Sequence, residues 1–524
     1  MHASDYKVEN IRAGPVRVKP GWTTWIALLA LYSLAKLWFV ADVELGKDEA
    51  VYWYWSQHLD ASYALLPFSS FKLAHYLYPG HEWVLRLVQI LVGASAIVLL
   101  YRLCRLHGLE SPLSLWATAA FASSHWIWHA TSYLHPDGFL VACWLLALIW
   151  ARQSRGDADP VAHLKLGLAA GLAVLCKYSA AFLVLGLFIW ILVTRERHQR
   201  WRALLWTTTT FSLVSSPLLY AQFKTLFYLP TTLSTLSQIA DAHTPLIRLL
   251  FFLLNPLFFV SPLLLYLTYK VLIHKTGEAL RQRPRETLLA VLPALCLLAG
   301  FAFFALARGQ IKGNWILPAF LGLWPFAFKR ANLPGRPRLF LLLAVLTGLL
   351  HALPIGISLK YPATFARLNE SLESPLLDAT YARLVSSPDL EREAAYSWTE
   401  RLCEYSGWRG LATELDKTLE QKAVLPAVPL LSSQYGISFA MAYYGTGERP
   451  CLVVDDPRFR DLNDFHRQTG PDFPTAVIFV VRENFPLPAS LQSLYPQSRL
   501  LAKLNRSAAG CGTLMYHVFL LQRE

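Results

Sequence analysis

Charge is what this sequence has least of. Only 16% of its 524 residues are Asp, Glu, Lys or Arg, against 54% that are hydrophobic, whereas a soluble domain carries about 25% charged residues. Lipid rather than water must therefore surround most of the chain, which excludes an ordinary cytosolic enzyme. Phosphate-cradling and hydrolase signatures are missing too. The sequence has no Walker A motif, no GxGxxG opening a helix after a strand, and no GxSxG elbow, so a nucleotide-driven reaction and a serine-hydrolase site lack support. Internal repeats and low-complexity segments are also lacking. Seven cysteines settle little. Cys104, Cys143, Cys176 and Cys296 fall in or beside apolar runs, where a small apolar residue is the ordinary reading. Cys403, Cys451 and Cys511 form an odd set in the C-terminal part, which allows one disulfide and leaves its partners open.

Long apolar runs are what the chain has in abundance. Leu-rich stretches predict membrane spans near 22–41, 84–101, 113–132, 138–151, 164–176, 179–194, 203–222, 246–269, 287–306, 315–328 and 339–358. The first, "WTTWIALLALYSLAKLWFVA", is too long and aromatic for a cleavable signal and has no small-residue cleavage site after it, so it reads as a retained span. The connections on one side carry 22 Lys/Arg and those on the other carry six, or eight with Arg86 and Arg248 at span ends. This bias is the positive-inside signature. It turns the net charge of +13 into a topology signal rather than a nucleic-acid footprint. The N-terminus is expected in the cytoplasm and, after eleven spans, the C-terminus outside. A single tilted helix could cover 164–194, but its basic flanks require an even number of crossings between them.

The expected fold class is mainly α: a polytopic helix bundle of about 11 spans with a small external α/β domain. Residues 1–21 form a cytoplasmic N-terminus and 22–358 the membrane body. Within it the first external loop, 42–83, is aromatic enough to hold helices lying in the interface. Residues 359–524 form the soluble domain, with strand-like runs "AVLPAVPLL", "CLVVDD", "TAVIFVVRE" and "GTLMYHVFLLQ" and helical stretches around 374–385, 408–422 and 433–444. Segment 223–247 is long for a connector and is a candidate lining of a site.

Two external acids draw attention. "VELGKDEAVYWYWSQHLD" follows the first span and, if helical, aligns Asp48, Tyr52, Trp55 and Leu59 on one face. Its bland reading is a capped interfacial helix, with Asp48 and Glu49 answering the dipole and Trp/Tyr marking the surface. Its functional reading is a carboxylate facing a cavity, where it can act as a general base. "SYLHPDGFL" places Asp137 in a tight external turn, so a helix cap is again the plain alternative. Two independent carboxylates at one depth on one face point to a shared site. Lys177, between two apolar runs, is either a snorkelling lysine or a ligand for a lipid phosphate. Arg86, Arg248, Arg308 and Lys312 are further outer-face cations suited to an anionic headgroup. The outer-face metal-ligand types, His75, His81, Glu82, His135 and His243, have no tight spacing. The short cytoplasmic loops leave no room for a nucleotide-sugar domain, so an activated substrate must arrive through the membrane.

Five segments follow one another in order: "KDEAVYWYWSQHLD", "GHEWVLRLVQILVGA", "HPDGFLVACWLLAL", "GLAAGLAVLCKYSAAFLVLG" and "GNWILPAF". This succession resembles the C-type (GT-C) integral membrane glycosyltransferases of the protein O-mannosyltransferase-like group. The nearest branch is the bacterial one that includes the aminoarabinose transferases acting on lipid A. The resemblance covers roughly 20–330 and, more loosely, the C-terminal part, where "SSQYGISFAMAYYGTGERPCLVVDDPRFRDLNDF" looks like that branch's outer domain.

The resemblance implies a polyprenyl-phosphate-linked sugar donor and a lipid, glycan or protein acceptor at the periplasmic face of a bacterial inner membrane. It implies Asp48 as the catalytic acid of the first loop and Asp137 as its assistant. Lys177, Arg86, Lys72, Arg308 and Lys312 would hold the donor phosphate. Glu49, Tyr52, Trp55, Tyr63, His135 and Asn314 would shape the substrate pocket, with Glu49 in a supporting role. Transfer would be a single inverting displacement. The resemblance fixes no cofactor, and a divalent metal stays an open option with His75, His81, Glu82 and His243 as candidate ligands. One departure stands out: relatives carry Tyr-x-(Asp/Glu)-(His/Lys)-Pro-Pro in the first loop, and this chain reads "YALLPFSSF". Tyr63 and Pro67 remain, Leu65 and Leu66 replace the acid and the cation, and Lys72 is the cation nearby. Two other classes stay in view: a protein O-glycosyltransferase with the same donor, and a transporter or flippase for a lipid-linked sugar. The flippase would call for inverted repeats and mid-span polar residues, of which Lys36 is one of few.

Overall fold

Apolar runs punctuated by Gly, Pro and short polar turns give a chain of helices, and each break has a local cause. The structure is a computed structural model that describes residues 22–59, 63–154, 159–226, 244–282, 284–308, 313–329, 332–333, 337–364, 403–446, 449–453, 474–507 and 513–523. Helix α1 (Trp22–Val40) leads to α2 (Lys47–Gln57) and α3 (Leu65–Leu77), so the first loop holds two helices. Helix α4 (Glu82–Leu106) follows, then α5 (Ser111–Ser123) and α6 (His125–Ala130). The predicted span 113–132 is thus divided, because Ser124 is extended and its Oγ caps α6 by accepting the Ile127 amide at 3.4 Å. Helices α7 (Pro136–Gln153), α8 (Pro160–Cys176), α9 (Ala180–Thr194) and α10 (Arg197–Leu226) come next. Residues 164–194 are therefore two helices, parted where Lys177 takes an extended backbone.

Beyond 243 the expected spans need correction. The run 246–269 is not one helix but α11 (Pro245–Leu254), a 3-10 turn at Asn255–Phe258, and α12 (Pro262–Gln282), which absorbs much of the predicted loop 270–286. Pro256 and Pro262 have no amide hydrogen to continue the ladder. After α13 (Arg285–Arg308), the run 315–328 is a buried series of short turns, Gly313–Trp315, Leu317–Phe320 and α14 (Trp324–Ala327), divided by Pro318, Gly322 and Pro325. Helix α15 (Pro337–Lys360) closes the body. By length and composition α4, Arg285–Ala307 of α13 and α15 can cross a membrane, and Trp25–Val40, α8, α9 and Pro245–Phe258 are shorter apolar helices. Close helix pairs rest on small residues. Gly167 and Gly171, one turn apart on α8, face α10, where a Cβ on Gly167 would collide with the Thr207 carbonyl.

The C-terminal part is a five-stranded sheet of order β2-β1-β3-β5-β4, built from β1 (Leu430–Ser432), β2 (Cys451–Val453), β3 (Ala476–Arg482), β4 (Gln497–Ser507) and β5 (Thr513–Gln522). Strand β1 runs parallel to β2 and β3, and β5 pairs antiparallel with β3 and β4. Side chains alternate across β3: Ile478 and Val480 pack toward α16 (Trp408–Gln421) and α17 (Tyr435–Tyr444), while Phe479 and Val481 pack toward α18 (Ala489–Leu494). The expected strand at 423–431 shrinks to β1, since Pro426 and Pro429 cannot donate to a ladder. Strand β4 was not predicted; Arg499, Lys503 and Arg506 interrupt its apolar pattern. The expected helix at 374–385 lies outside the described residues, as does Cys511, and Cys451 is a buried free thiol.

Candidate active site

Helix α2 begins with two acids whose fates diverge. Residues 48 and 49 are 100° apart on a helix, so one faces out and the other in. Glu49 is 2% exposed and Arg86 fully buried. Arg86 Nε donates to Glu49 Oε1 at 2.9 Å and Nη2 to Oε2 at 2.5 Å. Its other donors reach the carbonyls of Val40 (2.7 Å), Val43 and Glu44 (2.9 Å). Glu49 also accepts the amides of Gly46 (3.2 Å) and Leu134 (2.9 Å). This pair ties α1's end, α2, α4 and the 133–135 turn together. Arg86 is therefore a buttress rather than a phosphate ligand, since all five of its N–H donors are engaged inside the protein, and Glu49 lies behind the pocket rather than in it.

Asp48 is exposed, and its Oδ1 accepts the Tyr435 hydroxyl at 2.7 Å. Asp137 is 1% exposed in the first turn of α7. Lys177 Nζ donates to its Oδ1 at 2.6 Å and Asn314 Nδ2 to its Oδ2 at 2.8 Å. Three distant segments thus meet on one carboxylate: the α7 start, the α8–α9 link and the turn after α13. Lys177 also lies 5.6 Å from the Trp315 ring, and its side chain keeps 12% exposure. His135 caps α7, its Nδ1 accepting the Asp137 amide at 3.2 Å. Burial pushes His135 down to about 4, against the opposing pull of Asp137, so it is neutral at pH 7 with its proton on Nε2.

Aromatic rings join the two carboxylates. The Tyr52 ring meets His135 at 5.6 Å, Trp55 at 5.9 Å and Phe68 at 5.9 Å. Tyr63 meets Trp55 at 6.0 Å and Tyr178 at 5.3 Å. Burial raises both phenols, joined at Tyr52 by the Tyr63 hydroxyl and the charges of Asp48 and Asp137, and at Tyr63 by Asp137, Tyr178 and Asp48. Both acids therefore lie close to one wall of aromatic rings. Sequence reasoning missed Tyr178, Trp315 and Tyr435 in this neighbourhood. "CKYS" and "GNW" contained the first two, and no local pattern ties Tyr435 to a residue 387 positions away.

The remaining candidates are scattered. Lys72 donates to the Gln57 carbonyl at 3.1 Å and pins α3 to the end of α2. His75 packs edge-on against Trp53 at 5.5 Å, and His81 stacks on Tyr78 at 4.6 Å. Glu82 binds Arg409 at 2.7 Å and the Tyr444 hydroxyl at 2.8 Å. Among the described residues no three His, Cys, Asp or Glu side chains gather as metal ligands. His243, Lys312 and the side chain of Arg308 lie outside the described residues. Lys36 is buried, donating to Thr131 Oγ1 at 2.5 Å and facing the Tyr32 and Trp128 rings.

Solved structures place this architecture. ArnT from Cupriavidus metallidurans in the apo state aligns with a TM-score of 0.56 at 17% identity, over 95% of this chain and 98% of that one. The same protein bound to undecaprenyl phosphate gives 0.57 with equal identity and coverage. The chain has the GT-C fold. Within this GT-C chain, residues 64–220 match the family described as dolichyl-phosphate-mannose-protein mannosyltransferase. That stretch holds Asp137 and Lys177 and begins after Asp48. Lipid A galacturonosyltransferase RgtD of Rhizobium johnstonii is 31% identical over 156 residues, 26% of this chain; the match spans 30% of that relative's length.

Proposed function

We propose that this protein is a multi-pass bacterial inner-membrane glycosyltransferase that moves a sugar from a polyprenyl-phosphate donor to a lipid acceptor of the lipid A type at the periplasmic face. The observation that carries the reading is the pairing of Asp48 with the Asp137–Lys177–Asn314 cluster across one aromatic cleft. The undecaprenyl phosphate in the ArnT complex and the lipid A specificity in the relative's name support the donor and acceptor classes. The basic bias of the connections supports a cytoplasmic N-terminus and an external C-terminal domain.

In this reading Asp48 takes the proton from an acceptor hydroxyl as its oxygen bonds to the anomeric carbon. The bond from that carbon to the phosphate oxygen breaks, and its electron pair leaves with the lipid phosphate. The leaving group passes from diester monoanion to monoester dianion, so it needs no proton, and the gained charge falls near Lys177. One displacement inverts the anomeric centre. Asp137 fixes Lys177 and Asn314, and the Tyr52, Trp55 and Tyr63 rings give the sugar a wall to stack on.

The test is direct. Protein in lipid nanodiscs is given undecaprenyl phosphate carrying galacturonic acid, aminoarabinose or mannose, with lipid A or a Ser/Thr peptide as acceptor, and products are weighed by mass spectrometry. The expected result is one sugar added to lipid A, with Asp48→Asn lowering transfer by about 10²–10⁴-fold. Sugar on the peptide alone would make it a protein O-glycosyltransferase. Intact donor moved across the bilayer without transfer would make it a flippase.

A further inference from the structure

The external domain reaches into the cleft through one side chain. Tyr435, 6% exposed, is the first residue of α17, and its hydroxyl donates to Asp48 Oδ1 at 2.7 Å. Its position is fixed by a broad seat between α17 and α2. A Cβ on Gly436 would stand 2.6 Å from Lys47 Cβ, so only glycine allows this approach. The Phe439 and Tyr54 rings lie 4.6 Å apart, and Tyr444 Oη accepts the Leu45 amide at 2.7 Å. From the segment before α16, Glu404 accepts the Lys47 amide at 2.9 Å. From α16 itself, Trp408 donates its amide to Glu44 at 2.6 Å. The start of α2 is held by the domain on both sides of Asp48.

We infer that Tyr435 is a positioning residue for Asp48, through which the external domain sets the orientation and basicity of the reacting carboxylate. The inference rests on the reading of Asp48 as the base. A hydroxyl donating to a carboxylate favours its ionised form and anchors the oxygen that accepts it. Among the described residues, groups that sense Asp48's charge include Tyr52 on its own helix, Tyr63 and His135 across the aromatic wall, and Glu404 and Tyr405 from the segment before α16, with Lys47 adjacent in sequence. Glu404 is the like charge of this set, so the Tyr435 donor opposes it.

The experiment is Tyr435→Phe in the full-length protein in nanodiscs, which keeps the ring in its apolar seat. Asp48 is exposed, and carbodiimide coupling attacks the protonated carboxyl. Peptide mass spectrometry across a pH series therefore reads its titration without any substrate. The expected midpoint of labelling rises by about one pH unit in Tyr435→Phe. Transfer in the donor panel falls about tenfold, the acid limb of its pH profile moving by the same amount. Tyr444→Phe, on the same docking face, leaves the midpoint in place. An unmoved midpoint in Tyr435→Phe, or an equal rise in Tyr444→Phe, overturns the inference. Asp48→Asn runs in parallel: surviving transfer there sinks the catalytic reading, whereas lost transfer with an unchanged Tyr435→Phe sinks only the role of Tyr435.

Discussion

Adjacent acids in one motif do different work, and the buried partner decides which. Glu49 and Arg86 are both removed from water, and breaking such a pair from one side costs about 3–5 kcal/mol because an uncompensated charge stays buried. Arg86→Met is therefore expected to abolish folded protein, read as loss of the monodisperse peak in detergent gel filtration. Lys177 is different: its ammonium lies at the cleft and its ion pair holds only Asp137. Lys177→Met leaves the buried Asp137 carboxylate with the Asn314 donor, so a smaller loss of yield than in Arg86→Met is expected. Donor KM of the folded protein is expected to rise at least about tenfold, measured by initial rates across donor concentration. Equal loss of folding in both variants would contradict this division. Sequence order alone made Arg86 and Lys177 look alike, as outer-face cations near span ends. What separates them is that five acceptors surround one guanidinium, and those acceptors come from segments far apart in the chain.

Elements follow the sequence where the period and the breakers agree. Runs such as α4 and α13 carried enough apolar length to be read directly, and Ser124, Pro256 and Pro318 mark breaks whose chemistry is local. Their consequences were harder to see, since a Leu-rich run looks the same whether it is one span or several buried turns. Between elements, close approach matters more than apolarity. The α8–α10 contact requires a residue without a side chain at 167, so Gly167→Leu is expected to destabilise by about 1–3 kcal/mol or more through overpacking. A lowered midpoint in a tryptophan-fluorescence melt would register it, while Gly410→Ala, whose Cβ meets open space, should melt like the native protein.

At the scale of the whole molecule, the C-terminal α/β part shares a core with the helical body. Tyr435, Phe439 and Val453 belong to the same buried cluster as α2 to α7. Arg409 and Glu82 clasp the two parts at 2.7 Å. Reversing one charge, Glu82→Arg, is expected to speed hydrogen–deuterium exchange across 45–57, and adding Arg409→Glu should slow it again. Unchanged exchange in the single variant would mean that the hydrogen bonds to residues 44–48 and apolar packing hold the domain in place without this ion pair. Docking of this kind explains why an activity carried by 22–358 would depend on residues beyond 403.

By itself the sequence determined that the chain lives in a membrane, that its basic residues gather on alternate connections, and that two acids and a lysine merit attention. Those features are written in composition, period and charge bias, which act locally. Tertiary structure alone decided that Asp137, Lys177 and Asn314 converge, that Glu49 and Arg86 pair away from the cleft, and that a tyrosine from the far end of the chain reaches Asp48. Such choices depend on which distant groups share a low-dielectric space, where a charge persists only if partners surround it. "VELGKDEAVYWYWSQHLD" shows the boundary: its spelling gave an interfacial helix with acids at the start, and the packing around it gave one acid to the scaffold and the other to the cleft.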